Sequence, residues 1–221
     1  YLLDMDDVVI VGGGIIGAAT AYFMSKEGRK VKVIERDPTY KNASFPLSLG
    51  GFRRQFFQKE NILLGKFARE FIIQIPELLK TAKNPNPTAS IVPNGYLLMF
   101  GPEHAEEQYR ALKNHAVCDA GTKNIKGSEL SKVFPYVNNE GIETATYTDN
   151  NSEGWIDPFM FHSALKSKAT ELGAEFIKGE VKSISEIKAK TIISAAGCWT
   201  KELLEDIPVV PQKHTVLLKK K

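Results

Sequence analysis

Two hydrophobic patterns divide this chain, unbroken apolar runs and apolar residues at helical spacing. Val8-Val9-Ile10-Val11 has no polar interruption, which reads as a strand buried on both faces, and it breaks directly into Gly12-Gly13-Gly14. Across residues 15–27 apolar side chains fall at Ile16, Ala19, Phe23 and Met24, the spacing of a helix with one buried face, and Gly28 stands where such a helix ends. Val31, Val33 and Ile34 predict a second buried strand, closed by Glu35.

Beyond Glu35 the patterns weaken and then return. Residues 36–40 read as a turn, and residues 42–52 form a loop of small residues with neither period, the kind of loop that carries function beside a motif. Residues 60–79 have helical spacing, with Ile62, Leu63, Phe67, Phe71 and Ile75 on one face, and Asn84-Pro85-Asn86-Pro87 is a break. Residues 95–100 predict a strand, 103–114 a charged surface helix, and Ser128-Glu129-Leu130 the opening of a short helix. Residues 144–148 alternate as a strand, and residues 153–158 form a turn whose Asp157 caps a helix over 158–172, ended by Gly173. Strands follow at 175–183 and 191–194, the latter running into Ala195-Ala196-Gly197. No internal repeat or low-complexity tract is present. This order predicts an α/β nucleotide-binding domain, discontinuous over 1–57 and 149–207, interrupted by an α+β region over 58–148 that residues 208–221 rejoin.

The order strand, Gly-x-Gly-x-x-Gly, helix, strand, acid is that of a dinucleotide site. Gly12 permits the tight turn, Gly14 lets backbone approach a pyrophosphate, and Gly17 lets the helix pack closely on its strand. Backbone N–H groups at the helix start face the phosphates, and the helix dipole adds to the attraction. The Glu35 carboxylate suits ribose hydroxyls, which points to NAD or FAD rather than a 2′-phosphorylated cofactor.

Composition narrows the remaining classes. At 221 residues the chain can bury a core as one large domain or two small ones. Its net charge of +3 owes much to Lys219-Lys220-Lys221, and no basic stripe with interleaved aromatics occurs, which excludes nucleic acid as the expected partner. Cys118 and Cys198 have neither metal nor redox-pair spacing and read as free thiols in a reducing compartment, and no metal site is expected. The uncharged stretch 8–25 is split by three glycines and amphipathic in its second half, so no transmembrane segment is expected. The chain opens on Tyr1 rather than Met, which fits a removed organellar presequence or a partial sequence.

Further stretches carry a family resemblance: 43–44 through 48–51 with Gln55-Phe56, Asn94-Gly95-Tyr96-Leu97-Leu98, Phe134-Pro135, Glu140-Gly141, Glu153-Gly154-Trp155 with Asp157-Pro158, Gly179-Glu180-Val181 and Ala195-Ala196-Gly197. Their order over nearly the whole chain resembles the FAD-dependent amine and amino-acid oxidoreductases of the D-amino-acid oxidase and sarcosine dehydrogenase type. The resemblance implies a Rossmann-like FAD-binding domain of the glutathione-reductase type with an inserted α+β substrate region. It implies that Gly12, Gly14 and Gly17, with Ile15 and Ile16, hold the FAD pyrophosphate, and that Glu35, followed by Arg36, holds the adenosine ribose. Ser44, Ser48, Gly50 and Gly51 would pass along the pyrophosphate toward the flavin ring, Val181 would present backbone to the adenine, and Ala196 and Gly197 would approach the phosphates from the other side.

For Gly50 and Gly51 two readings stand, close backbone approach to flavin N5 or a carbonyl, and an ordinary glycine hairpin. Arg53 and Arg54 are candidates for gripping a substrate carboxylate or supporting charge on reduced flavin, or are surface charges; Tyr96 and His214 are further candidates. Some relatives tether flavin through a His in this loop, whereas Phe45-Pro46-Leu47-Ser48-Leu49 contains none, so the FAD is expected to be noncovalent. Relatives continue well past the segment matching 211–214 and carry a longer stretch in place of 181–191, which predicts a C-terminally truncated fold or an incomplete sequence. The resemblance implies an oxidoreductase that moves hydride from a carbon bearing an amine to flavin N5, with a small amine or amino acid as substrate and a mitochondrial location. The alternative is a non-catalytic subunit or assembly component of mitochondrial respiratory complex I, with respiratory-complex proteins as partners. An NAD-dependent dehydrogenase ranks last, since it leaves residues 44–51 and 195–197 unexplained.

Overall fold

The computed structural model describes residues 6–148 and 152–212. In chain order its elements begin β1 (Asp6–Val11), α1 (Ile15–Lys26), β2 (Val31–Glu35), β3 (Gly51–Phe52), α2 (Lys59–Ile73), α3 (Ile75–Leu78), β4 (Leu97–Phe100) and α4 (Pro102–Val117). They continue β5 (Thr122–Lys126), α5 (Leu130–Val133), β6 (Thr144–Thr148), β7 (Gly154–Trp155), α6 (Pro158–Glu171), β8 (Glu175–Lys178), β9 (Ala189–Ser194) and α7 (Thr200–Leu203). These fall into two compact units, one of residues up to 47 together with those from 162 onward, the other Ser48–Phe161. No helix among the described residues is long and apolar enough to cross a membrane.

The first unit is organised on a four-stranded parallel sheet in the order β8-β2-β1-β9. A parallel sheet is covered on both faces, and the central β1 accordingly buries Val8, Val9, Ile10 and Val11 in succession while β2 buries Val31 and Val33. Helix α1 is phased differently from its apolar pattern: it buries Gly17, Ala18, Ala21, Tyr22 and Ser25, while Ile16 is 66% and Phe23 39% exposed. Gly17, Ala18 and Ala21 let the helix lie close to the sheet, and Tyr22 and Ser25 complete the buried face. Strand β8 stops at Lys178 rather than at 183, because β2, its ladder partner among the described residues, stops at Glu35; Gly179 N–H makes the last bond, to the Glu35 carbonyl. Beyond it, residues 184–186 form a short 3₁₀ turn.

The second unit contains an antiparallel sheet in the order β4-β6-β5 and the short pair β3-β7. The expected long helix over 60–79 is two helices, α2 and α3, separated at Gln74. Pro76 explains the break, since it has no N–H to continue the ladder and its ring excludes the carbonyl a turn earlier. Ile62, Ile72 and Ile75 are buried, whereas Leu63 is 54% and Phe67 58% exposed. Asp157 caps α6 as its sequence suggests, its carboxylate accepting the N–H groups of Phe159 and Met160 at 2.8 and 2.9 Å.

Glu153, in the second unit, is a fully buried carboxylate. It accepts the backbone N–H groups of Arg54 (2.5 Å) and Gln55 (3.0 Å), the Gln55 side-chain amide (2.8 Å) and the Thr148 hydroxyl (2.7 Å). A buried charge is tolerable when its lone pairs are filled in this way.

Candidate functional site

The three motif glycines of the first unit are glycine for three different reasons. Gly12 has a φ of +100°, and a Cβ there would stand 2.5 Å from the Ala195 carbonyl oxygen. A Cβ on Gly17 would overlap the Gly12 carbonyl oxygen and come within 3.0 Å of its carbon, so the bare position is what lets α1 start against the turn. Gly14 has φ −62° and ψ −168°, open to any residue, and the atom nearest an added Cβ is Phe45 Cδ1 at 3.9 Å. Protein packing therefore does not require glycine at position 14; a group pressed against its backbone would.

Two side chains fix the peptide planes around Gly13. Glu35 Oε2 accepts the Gly13 N–H at 2.6 Å while its other oxygen accepts the Asp37 N–H at 2.7 Å. On the other side, His162 Nε2 lies 2.8 Å from the Gly13 carbonyl oxygen, and since a carbonyl only accepts, Nε2 carries the hydrogen. The imidazole is 2% exposed, stacked on Phe45 at 4.4 Å and met edge-on by Tyr40 at 4.5 Å. Burial holds its pKa below the ordinary value, helped by Lys166 and opposed by the Gly13 hydrogen bond and Glu35. Lys166 in turn donates to the Tyr40 hydroxyl at 3.1 Å.

Of these groups, Glu35, Asp37, Tyr40 and Phe45 line a cavity of about 220 Å³ whose lining belongs wholly to the first unit. Of the residues singled out by sequence, it brings together Gly12, Gly14, Ile15, Ile16, Glu35, Arg36, Ser44, Val181, Ala196 and Gly197. Gly17 packs beneath them against the Gly12 carbonyl. The N–H groups that open α1, those of Gly14, Ile15, Ile16 and Gly17, have no acceptor within the helix, and no acidic side chain occupies its first turn. At the rim the Arg36 guanidinium lies 4.4 Å from the centre of the Trp199 ring and 3.9 Å from both Glu180 and Glu202. Thr39 donates to Asp37, and this bond chiefly holds that carboxyl below its usual range.

The other predicted site residues lie in the second unit. Ser48 Oγ accepts the Gly50 N–H at 3.0 Å. Gly50 has a φ of +66°, and a Cβ on it would overlap the Ile156 carbonyl oxygen, so packing within that unit demands glycine there; one on Gly51 would meet the tip of the Tyr96 side chain rather than backbone. The Arg53 guanidinium sits 4.8 Å from the centre of the Phe56 ring, and Arg54 Nε is buried with no hydrogen-bond partner among the described residues. His214 lies outside the described residues.

Sequence reasoning missed His162, Tyr40, Phe45 and Trp199. Nothing in the α6 pattern distinguishes His162 from a surface residue, and the reach from α6 to Gly13 exists only in the folded unit. The cavity's donor set suits an anionic nucleotide: unspent N–H groups at a helix start, a carboxylate at the facing strand end, and bare backbone at Gly14.

Comparison with known proteins agrees with this chemistry. The family model described as "FAD dependent oxidoreductase" matches residues 7–220. The bovine (Bos taurus) FAD-dependent oxidoreductase domain-containing protein 1 is 31% identical over 268 residues, covering 97% of this chain and 55% of the relative. Dimethylglycine dehydrogenase, mitochondrial, from Rattus norvegicus is 25% identical over 238 residues, covering 96% of this chain and 26% of that protein. The crystal structure of glycine oxidase from Geobacillus kaustophilus shares the fold with a TM-score of 0.72 at 20% identity, over 90% of this chain and 57% of that one. The chain thus spans about half the length of the bovine relative.

Proposed function

The chain belongs to the FAD dependent oxidoreductase family, and from that premise we propose that the first unit's cavity holds the ADP end of a noncovalently bound FAD. The bare backbone of Gly14 beside unspent helix-start N–H groups carries this reading. In it, the N–H groups of Gly14, Ile15 and Ile16 receive the pyrophosphate, reinforced by the positive end of α1. Glu35 spends one lone pair per oxygen on backbone and keeps acceptor capacity for ribose hydroxyls. Val181 offers backbone to the adenine, Arg36 borders the same end, and Ser44, Ala196 and Gly197 flank the phosphates. Ser48, Gly50 and Gly51 are proposed as the family's flavin loop, with Arg53 or Arg54 gripping a substrate carboxylate.

The bound flavin would supply hydride acceptance at N5, and the substrate class proposed is a small amine or amino acid, as the names of the dehydrogenase and oxidase relatives suggest. A mitochondrial location is part of the proposal, since the rat relative carries that location in its name. The test is an absorbance spectrum of the protein purified from its native source, before and after acid precipitation, followed by a screen of N-methylated and free amino acids with an artificial electron acceptor. Flavin released into the supernatant and turnover of one substrate class are the expected results. Absence of flavin, with no uptake of added FAD, overturns the cofactor reading. Bound FAD without turnover favours the alternative, a structural or assembly component of mitochondrial respiratory complex I.

A further inference from the structure

We propose that His162 is a positioning residue that aims the Gly14 N–H into the cavity. In a trans peptide the carbonyl of one residue and the N–H of the next point in opposite directions, and the chain has no cis peptide bond among its described residues. By drawing the Gly13 carbonyl toward α6 at 2.8 Å, His162 turns the Gly14 N–H the other way, onto the cavity side that Gly14 lines. Glu35 does the same one peptide earlier: by holding the Gly13 N–H it directs the Gly12 carbonyl toward Gly17, where the missing Cβ makes room for it. The loop is thus set by two side chains from different elements, each holding one end of Gly13.

The imidazole is suited to hold this position. It is 2% exposed and enclosed by Phe45 and Tyr40, so its ring has little freedom to turn away. The charged groups near it are Lys166 on its own helix and Glu35 on β2, and burial keeps it neutral near pH 7, so the loop is held by an uncharged donor. His162 therefore adds no charge to the site, and its task is steric and hydrogen-bonding.

The role rests on the FAD reading only for its consequence, and the experiment separates the two. Gln places an amide nitrogen near the reach of Nε2, Asn near that of Nδ1, and Phe keeps the stacking without a donor. FAD titration and residue-resolved amide hydrogen exchange would be measured on the wild-type chain and on His162→Gln, His162→Asn and His162→Phe. We expect the FAD dissociation constant to rise about tenfold in the Asn and Phe variants, the effect of one ordinary hydrogen bond, and by no more than about twofold in His162→Gln. Exchange at Gly13, whose N–H Glu35 holds in the same loop, should quicken about tenfold in the FAD-free Asn and Phe variants alone. Equal behaviour of the Gln and Asn variants in both readouts overturns the positioning role, and should the Phe variant fail to fold, that pair decides. A wild-type chain that takes up no FAD overturns the cofactor reading, and exchange at Gly13 then judges His162 by itself.

Discussion

Substituting alanine at Gly14 and at Gly17 separates ligand binding from folding within one motif. At Gly17 the new Cβ would overlap the Gly12 carbonyl oxygen and approach its carbon to 3.0 Å; both are backbone atoms fixed by β1 and by the Glu35 contact to Gly13. Neither side can yield without shifting α1 from the sheet, so the cost is that of a badly overpacked core, about 3 kcal/mol. For a chain of 221 residues that lowers the melting temperature by about 6–12 °C. At Gly14 the methyl meets nothing closer than 3.9 Å and the backbone sits at φ −62°, so the FAD-free protein should lose no more than about 1 kcal/mol, the price of Ala at a helix cap. The same methyl stands where the cofactor's pyrophosphate would press on the backbone. Displacing one charge-assisted contact costs about 1.5–3 kcal/mol, which is a loss of about 10- to 150-fold in FAD affinity. Thermal melts of the FAD-free proteins and fluorescence titrations with FAD give both quantities. Wild-type affinity in Gly14→Ala, or a wild-type melting temperature in Gly17→Ala, would refute the division of roles. Gly12→Ala is a poorer probe, because its φ of +100° and the Ala195 carbonyl at 2.5 Å make folding and binding fail together.

Three further perturbations test other contacts. Glu35→Gln replaces one acceptor oxygen with an N–H₂ group that must face the Gly13 or Asp37 N–H, so FAD affinity should fall at least about tenfold and the melting temperature should also drop; an unchanged titration would argue against Glu35 as a ligand residue. Glu153→Gln leaves an N–H₂ group facing either the two backbone N–H groups or the Gln55 amide, and urea denaturation should report a loss of about 2–4 kcal/mol, a midpoint equal to wild type being the contrary result. Burial chiefly, with Lys166, holds His162 below the ordinary 6.5. The unfolded chain therefore binds the extra proton between the lowered value and 6.5, and its share of stability is whole above 6.5 and is lost as pH falls through that window; His162→Gln should flatten this part of a melting-temperature profile, and an identical slope in the variant would assign the acid sensitivity elsewhere.

What could be read from the sequence and what could not divide along a physical line. The strand-turn-helix-strand-acid order is local, because each of its parts is set by residues adjacent in the chain, and so the first parallel strands, the Gly12 turn and Glu35 at a strand end were legible. The phase of α1 was not. Its sequence is apolar on most sides, so apolar spacing alone leaves the phase open, and Ala18, Ala21 and Tyr22 go inside while Ile16 stays out. Strand β8 was drawn too long for a related reason: a strand's end is decided by its partner, and β2 ends at Glu35.

Distance along the chain governs the site in the same way. Gly13 and Glu35 belong to one βαβ-type unit, whose geometry puts the strand end beside the turn, and their contact could be anticipated. His162 reaches Gly13 across 149 positions of sequence. No periodicity encodes that meeting; it follows from how α6 settles beside the glycine turn within the first unit, and a histidine there competes in the pattern with any helix residue. Glu153 gathers Arg54, Gln55 and Thr148 in the second unit under the same limitation, for its sequence context marks only a turn. In both cases the decisive fact is a backbone group that must be satisfied once buried, the Gly13 carbonyl in one unit and the N–H groups after the Gly50-Gly51 pair in the other. Motif reading finds the glycines; the polar groups that hold those glycines in place become visible only when the buried hydrogen bonds are accounted for one by one.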